Sequence, residues 1–346
     1  MDQQTDYLVL VTGGSGFLGS HCVLQLIQQG YRVRSTIRNM NREAEVREML
    51  KNGGAPTLEN LSFIKADLSK DDNWEAALRD CDFALHVASP FPLKMPKDEN
   101  ELIRPAVDGT LRVLNAASKM GVKRVVLTSS FAAIGYGNKN LKEKFTEADW
   151  TDPNDSNISA YVKSKTLAEQ AAWDFIEKDG GGMELAVINP RYILGPALGS
   201  NFTTSLTAMK QIFDGSMKRL PNVGYGIVDV RDVADLHIRA MLHPEAKGQR
   251  FLASNDEPVS FPEIAQLLRD KLGDKARNVS TKVFPNWLVR VAALFNPVAR
   301  GIAPVLGKRL VSSSDKAKNT LGWTLRSSEE AILASVDSII KAEGQG

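Results

Sequence analysis

The sequence holds 346 residues, 43% hydrophobic and 24% charged, the proportions of a globular chain that buries a sizeable core in one large or two modest domains. Forty-three Lys and Arg against forty-one Asp and Glu leave a formal charge of +2, which makes no electrostatic case for nucleic acid or an anionic membrane surface as main partner. Two cysteines, Cys22 and Cys81, are too few for a disulfide framework or a four-ligand zinc site, and a reduced, cytoplasmic setting is expected.

Residues 1–6 carry Asp2 and Asp6 where a secretory leader would be basic, and the apolar run from Tyr7 stops at Gly13. A membrane span needs about 18 or more consecutive apolar residues. The nearest stretch, Val289 to Leu306, is broken by Arg290, Pro297, Arg300 and Pro304 and reads as an amphipathic surface or pocket-wall element. Without a secretion signal, Asn-x-Ser/Thr triplets such as those at Asn60 and Asn201 count as chance.

Short β-rich runs alternate with helical stretches through the first half. Strands are predicted at 8–12, 32–37, 62–66, 83–88, 124–128 and 184–188. Helices are predicted at 17–29, 43–51, 69–79, 100–120 and 159–178, the first stopped by Gly30, the fourth by Gly121 and the last by Gly180-Gly181-Gly182. Ser69 with Asp72 three residues on resembles a capping box opening the third helix. The strands carry Val, Leu and Ile on consecutive positions, as a parallel sheet covered on both faces requires. After Pro190 the pattern weakens into shorter elements punctuated by Gly and Pro, with a strand and helix at 227–241.

Directly after the first strand comes Thr12-Gly13-Gly14-Ser15-Gly16-Phe17-Leu18-Gly19-Ser20. It fits G-x-G-x-x-G through Gly14, Gly16 and Gly19, and T-G-x-x-G-x-x-G through Gly13, Gly16 and Gly19. In either register the glycines let the backbone approach a pyrophosphate, and the following helix offers its N–H groups and positive dipole end to the anion. The chain is therefore expected to be an α/β protein with a Rossmann-type doubly wound parallel sheet. Residues 1–189 form the dinucleotide-binding domain, to which 227–243 returns; 190–226 and 244–346 form a smaller mixed α/β substrate lobe.

An NAD-binding chain places an acid at the end of its second strand, to hold the ribose 2′-hydroxyl. Here that place reads Thr36-Ile37-Arg38-Asn39-Met40-Asn41-Arg42, and no acid comes before Glu43. An arginine pairs with a 2′-phosphate that a carboxylate would repel, so Arg38, helped by Arg34 or Arg42, points to NADP(H). Asp67 has two readings, a contact to adenine or a cap on the helix at 69–80.

Tyr161 and Lys165 stand four apart at the start of the long fifth helix and so share one face. A free phenol, with a pKa of about 10, exchanges protons poorly near neutrality, and a nearby ammonium is expected to lower that value. Leu127-Thr128-Ser129-Ser130 ends the fifth strand 31 residues before Tyr161. Ligands of open α/β sheets lie at such strand ends, where a serine hydroxyl can orient a substrate oxygen. There is no HExxH, CxxC or G-x-S-x-G motif, and no metal site is expected. Of the histidines, His86 reads as a hydrogen-bonded core residue and His237 as packing.

These stretches together resemble the extended short-chain dehydrogenase/reductases, and more narrowly the dihydroflavonol 4-reductase-like aldehyde and ketone reductases. The likeness runs over nearly the whole chain and is most specific in YVKSKTLAEQAAW, Tyr161 to Trp173, followed by NPRYILGP, Asn189 to Pro196, and VDVRDVADLH, Val228 to His237. It implies Ser130, Tyr161 and Lys165 as the catalytic triad, with hydride delivered from NADPH. It also implies Arg38 at the 2′-phosphate, Asp67 and Leu68 near adenine, and Val87, Ala88 and Ser89 lining the nicotinamide ribose, which Lys165 also bonds. Pro190 to Ile193 would wrap the nicotinamide, with Ser205 at the phosphates.

Two departures bear on chemistry. The helix that carries a catalytic Asn in many short-chain dehydrogenases reads Pro105-Ala106-Val107-Asp108-Gly109, so a proton relay past Lys165 would use water. Plant dihydroflavonol reductases carry, five residues after the catalytic Ser, an Asn used on the flavonoid; that place is Gly135 here. Phe91, Phe131, Tyr192 and Phe202 are the candidates for an apolar pocket. The expected protein is an NADPH-dependent carbonyl reductase, a monomer or homodimer with a small-molecule substrate. The alternatives are an NAD-dependent nucleotide-sugar epimerase or dehydratase and a non-catalytic nicotinamide-nucleotide sensor.

Overall fold

The computed structural model describes residues 6–90, 98–137, 142, 144–199, 202–295, 299 and 302–344. Strands β1 (Leu8–Val11), β2 (Arg32–Ile37), β3 (Leu61–Lys65), β4 (Phe83–His86), β5 (Arg124–Thr128), β7 (Glu184–Pro190) and β10 (Gln249–Ala253) form one sheet in the order β10-β7-β5-β4-β1-β2-β3. Every pairing in it is parallel. The chain builds outward from β1 to β3 on one side and from β4 to β10 on the other. The crevice at the carboxyl ends of β1 and β4 is therefore the topological switch point.

Helices cover both faces. On one lie α1 (Phe17–Gln28), α2 (Glu43–Asn52) and α7 (Val230–Leu242), sharing a core with Val9, Val11, Leu85 and Trp323. On the other lie α3 (Trp74–Leu78), α4 (Asn100–Lys119) and α5 (Ala160–Asp179), around Leu10, Ala84, Val125 and Val187. Alternate residues of the central strands thus point into different cores, which is why β1 and the middle of β5 carry apolar residues on consecutive positions.

A second assembly follows Pro190. Strands β8 (Tyr192–Leu194), β9 (Gly224–Asp229) and β11 (Pro258–Ser260) make a separate three-stranded sheet, and β6 (Lys144–Phe145) pairs with β12 (Val311–Ser312). Helices α6 (Thr204–Phe213), α8 (Phe261–Leu272), α9 (Asn286–Ala292) and α11 (Ser328–Glu343) surround their core, while α10 (Asp315–Leu321) packs against α7.

Three sequence expectations are corrected. The segment 227–243 divides: helix α7 packs on the main sheet, but its strand, β9, pairs with β8 and β11 instead. The seventh main-sheet strand is β10, inside the stretch assigned to the other lobe; Gln249 and Arg250 at its start leave only three apolar residues, too short a run to reveal it. The capping box at Ser69 does not form. Ser69 donates its N–H and hydroxyl to Asp67 Oδ1, at 2.9 and 2.8 Å, and α3 begins only at Trp74, capped by Asn73 in a left-handed conformation. Asp67 therefore closes a turn ahead of the helix and does not cap it.

The histidines at 21, 86 and 237 are buried and paired. His21 Nε2 meets the Pro196 carbonyl at 2.8 Å, His86 Nδ1 meets Thr12 Oγ1 at 2.9 Å, and His237 bridges the Val233 carbonyl and Thr128 Oγ1, each at 2.7 Å. Burial holds His21 and His237 at about 4 and His86 at about 3. In the unfolded chain they titrate near pH 6.5, so between pH 6.5 and 4 the unfolded state binds more protons and stability is lost as the pH is lowered. Each contributes a slope of up to about 1.4 kcal/mol per pH unit. Urea unfolding across that window should therefore show a steep loss toward acid, reduced by about one proton's slope in His237→Gln. A flat profile from pH 6.5 to 5 would contradict it.

Candidate active site

The switch point is held open by contacts between the loops after β1 and β4. Thr12 Oγ1 accepts the Ala88 N–H at 2.9 Å and meets His86. Gly13 sits at φ +70°, and a Cβ there would lie 3.0 Å from that of Ala88. A Cβ on Gly19 would fall 2.3 Å from the Gly13 carbonyl oxygen, so α1 packs this closely on the loop only with glycine. Gly16, the N-cap of α1, supplies no side chain to the first-turn N–H groups, and Phe17 and Leu18 open the helix. Gly14 is held as tightly, since a Cβ there would fall 2.0 Å from Ser35 Oγ, so both glycine registers rest on close contacts.

Arg38 follows the last residue of β2, exposed, and among the described residues it makes no hydrogen bond or ion pair. It faces Asp67, whose carboxyl is held below its usual range first by the Ser69 N–H and also by the Arg38 charge. The helpers expected for it are engaged elsewhere. Arg34 donates to the carbonyls of Ala77 and Arg79 at 3.0 and 2.7 Å, and Arg42 grips Glu45 through two bonds of 2.9 and 2.8 Å. Leu68 is fixed by α4, where the absence of a side chain at Gly109 admits it and Arg112 donates to its carbonyl.

Helix α5 begins with Ser159, whose hydroxyl accepts the Val162 N–H at 3.3 Å, and this cap sets Tyr161 and Lys165 one turn apart. The Tyr161 and Ser130 hydroxyls are hydrogen-bonded to each other, and Ser130 Oγ also accepts the Ala132 N–H at 3.1 Å. Burial pushes the phenol up, the Ser130 bond draws it partway back, and nearby Tyr136 pushes it further up. Lys165 is not among the groups that lower it, so the acidified phenol expected from the sequence is absent. The lysine is itself lowered to about 8 by burial, against the opposing charge of Glu169. Its charge also depresses His86, which places the ammonium toward the end of β4 and the adjoining Val87-Ala88-Ser89.

Glu169, four residues past Lys165, went unnoticed in the sequence although it continues the face carrying Tyr161 and Lys165. It is buried. Its Oε2 accepts from Ser129 Oγ and from Asn189 Nδ2 at 2.7 Å, and its Oε1 accepts from Arg250 Nε at 2.6 Å. Asn189 Nδ2 also donates to the Ser130 carbonyl at 3.2 Å. Arg250 donates on to the carbonyls of Glu147 and Asp149, at 2.9 and 2.8 Å, with its guanidinium 3.7 Å above the Trp150 ring.

Beyond β7, which ends at Pro190, Ile193 and Ser205 come together through a 2.7 Å bond from Ser205 Oγ to the Ile193 carbonyl. Ala197, Leu198 and Gly199 close over Ser15, Gly16 and Phe17 at the mouth of the glycine loop. The pocket candidates are revised. Phe131 is fully buried, edge-on to Tyr136 and Phe145 at 5.6 and 5.7 Å, beneath the Arg191 guanidinium at 4.2 Å; it belongs to the core. Its ring also fills the place of a side chain at position 135, where a Cβ would meet it at 2.4 Å. Tyr192 stacks on Tyr225 at 4.8 Å, Phe202 is half-buried against the lobe core, and Phe91 lies outside the described residues. Among the described residues no group of three or more His, Cys, Asp or Glu could hold a metal ion, and no helix is long and apolar enough to cross a membrane.

Residues 10–285 match the family model described as the 3-beta hydroxysteroid dehydrogenase/isomerase family. The chain is 36% identical over 271 residues to cinnamoyl-CoA reductase CAD2 of Medicago truncatula, covering 76% of this chain and 80% of that one. It is 31% identical over 278 residues to dihydroflavonol 4-reductase of Gerbera hybrida, covering 78% and 74%. Among solved structures it resembles yeast methylglyoxal/isovaleraldehyde reductase Gre2 complexed with NADPH, with a TM-score of 0.79 and 27% identity over 98% of this chain and 100% of that one.

The Glu169–Arg250 pair is buried on both sides. Removing one partner strands a charge, at a cost of about 3–5 kcal/mol, whereas replacing both with apolar groups is often far milder. Glu169→Leu and Arg250→Met should each lower the urea unfolding free energy by that amount, and the double variant by clearly less than their sum. Additive losses would show that the two charges do not stabilise one another.

Proposed function

The chain belongs to the 3-beta hydroxysteroid dehydrogenase/isomerase family, within the dihydroflavonol 4-reductase-like extended short-chain dehydrogenase/reductases, and on that premise we propose that it is an NADPH-dependent reductase of aldehydes or ketones. The observation that carries this reading is the hydrogen-bonded Ser130–Tyr161 pair, with Lys165 one turn along α5, at the strand ends that flank the glycine loop. Support for the cofactor comes from the cradle at Gly13 and Gly19, the side-chain-free start of α1, and the uncommitted guanidinium of Arg38.

In this reading Gly13, Gly16, Phe17, Leu18 and Gly19 hold the pyrophosphate and Arg38 the 2′-phosphate. Asp67 and Leu68 flank the adenine, Val87, Ala88 and Ser89 the ribose, and Pro190 and Ile193 the nicotinamide end, with Ser205 at the phosphates. NADPH, when bound, supplies the hydride that the carbonyl carbon accepts. Ser130 donates a hydrogen bond to the carbonyl oxygen, and the Tyr161 hydroxyl gives that oxygen its proton, leaving an alcohol. A phenol held up by burial is protonated at neutral pH and so ready to give rather than take. The Lys165 ammonium stabilises the phenolate left behind until solvent restores its proton.

The lobe built from 190–226 and most of 244–346 shapes the substrate site, with β10 excepted as part of the main sheet. Phe131 fills the space that an asparagine at position 135 would need, so the substrate is not a flavonoid held by that contact. An epimerase retaining NAD would place an acid where Arg38 stands, and a sensor has no need of the Ser130–Tyr161 pair.

Tyr161→Phe should lower kcat with an aldehyde substrate by about 10²–10⁴-fold while NADPH binding persists. Arg38→Gln should raise KM for NADPH by about 10–100-fold, the value of a charge-assisted bond, and leave KM for NADH nearly unchanged. Initial rates over an aldehyde and ketone panel with each cofactor measure both. Full activity in Tyr161→Phe would remove the proposed acid, and a native preference for NADH would remove the role of Arg38.

A further inference from the structure

Seven of the eight large hydrophobic side chains exposed among the described residues fall between Val283 and Phe295. Within this span Trp287 is 63% exposed, Val291 50% and Phe295 83%. Helix α9 buries only Val289 against the lobe core and turns the remainder outward. So large a concentration of exposed apolar surface on one segment marks an interaction site.

The charge around it is one-sided. From Lys275 to Ser314 the sequence has seven Lys or Arg and no Asp or Glu. The neighbouring edge adds two more bases. Lys218 and Arg219 run beside Ser280 to Phe284, joined by bonds from Ser280 Oγ to the Lys218 carbonyl, from the Leu220 N–H to the Lys282 carbonyl and from the Phe284 N–H to the Leu220 carbonyl, at 2.7, 2.8 and 2.9 Å. Gly307 lies against Asn286 and brings Lys308 to the flank of α9. Lys218, Arg219, Lys282, Arg290 and Lys308 are all exposed, and among the described residues none enters an ion pair. The chain-wide charge of +2, which argues against an anionic surface, averages this segregation away.

We propose that the face formed by 282–295 with Lys218, Arg219 and Lys308 seats the protein on an anionic lipid bilayer, with Trp287, Val291 and Phe295 entering the interface and the unpaired cations meeting the headgroups. Among the described residues no helix is long and apolar enough to span the bilayer, and the element would lie in its surface. A second copy docking here about a two-fold axis would oppose two sets of unpaired cations, which disfavours it. Interfacial association combines apolar insertion with attraction to anionic headgroups, and this face carries both.

The test is sedimentation of the full chain with vesicles of phosphatidylcholine, with and without phosphatidylglycerol, together with tryptophan emission. The protein should pellet only with the anionic vesicles, be released by high salt, and show a blue shift that Trp287→Phe removes. Lys218→Gln with Arg219→Gln should weaken partitioning by about 30-fold, at about a factor of five per base, while reduction of a water-soluble aldehyde is unchanged. Phe295→Asp should abolish binding. The proposal is overturned if anionic vesicles leave the protein in the supernatant at low salt, or if both variants pellet like the parent. It is equally overturned if the face instead proves to hold a second copy, as a dimer in scattering that Phe295→Asp dissolves, or an acidic protein captured in place of lipid.

Discussion

One buried carboxylate fixes how the pieces of the candidate site meet. Glu169 takes hydrogen bonds from the end of β5 through Ser129, from the end of β7 through Asn189 and from β10 through Arg250, and it sits on the helix that carries Tyr161 and Lys165. A lone carboxylate at that depth would be costly, and Arg250 is buried with it as its ion-pair partner. The arginine in turn donates to two loop carbonyls and lies over the face of Trp150. The pair is better understood as a register device than as a source of stability. Sliding α5 by one residue would break these three bonds at once, and Ser130 would lose its alignment with Tyr161.

The other half of the site has a steric origin. Where β1 and β4 diverge, the loops touch through Gly13 and Ala88, and α1 presses its third residue, Gly19, onto the Gly13 carbonyl. No larger side chain fits at either place, so the backbone itself forms the wall of the crevice. This wall faces the Ser130–Tyr161 pair because β4 and β5 are neighbours in the sheet, and the Lys165 charge reaches His86 at the end of β4. Sheet order thus brings a helix start and a helix face, far apart in sequence, to opposite sides of one cleft.

How much of this the sequence disclosed differed by region, for physical reasons. The strand at 124–128 falls where the Val125-Val126-Leu127 run places it, because a central strand buried on both faces reads as consecutive apolar residues. The glycine loop and the pair at Tyr161 and Lys165 were legible because each rests on local spacing. Strand β10 was hidden because Arg250, near its start, is explained only by a partner 81 residues away. Ser69 gave a false capping signal because Asp67 claimed its hydroxyl first, while true capping boxes at Ser260 and Ser327 lay in the stretch where periodicity is weakest. Phe131 looked like a pocket residue by its nearness to Ser130, but its direction depends on the Tyr136 and Phe145 rings, which no spacing rule supplies.

The electrostatics of the phenol show why proximity in sequence is a poor guide to titration. Four residues separate Tyr161 from Lys165, which suggests a phenol acidified by an ammonium. The surroundings reverse the sign: burial raises the phenol and lowers the amine, since each loses hydration of its charged form. The two shifts act together. Each disfavours a charge in a dry pocket, but a lysine lowered to about 8 stays mostly protonated near neutral pH, so a neutral phenol stands with an ammonium. In the proposed reduction, the phenol then has a proton to give, and the charge it leaves lies beside an amine that Glu169 keeps from losing its own proton too readily. The same burial that makes the resting phenol a weak acid therefore makes the phenolate depend on Lys165, so the lysine acts mainly after the proton has moved rather than before.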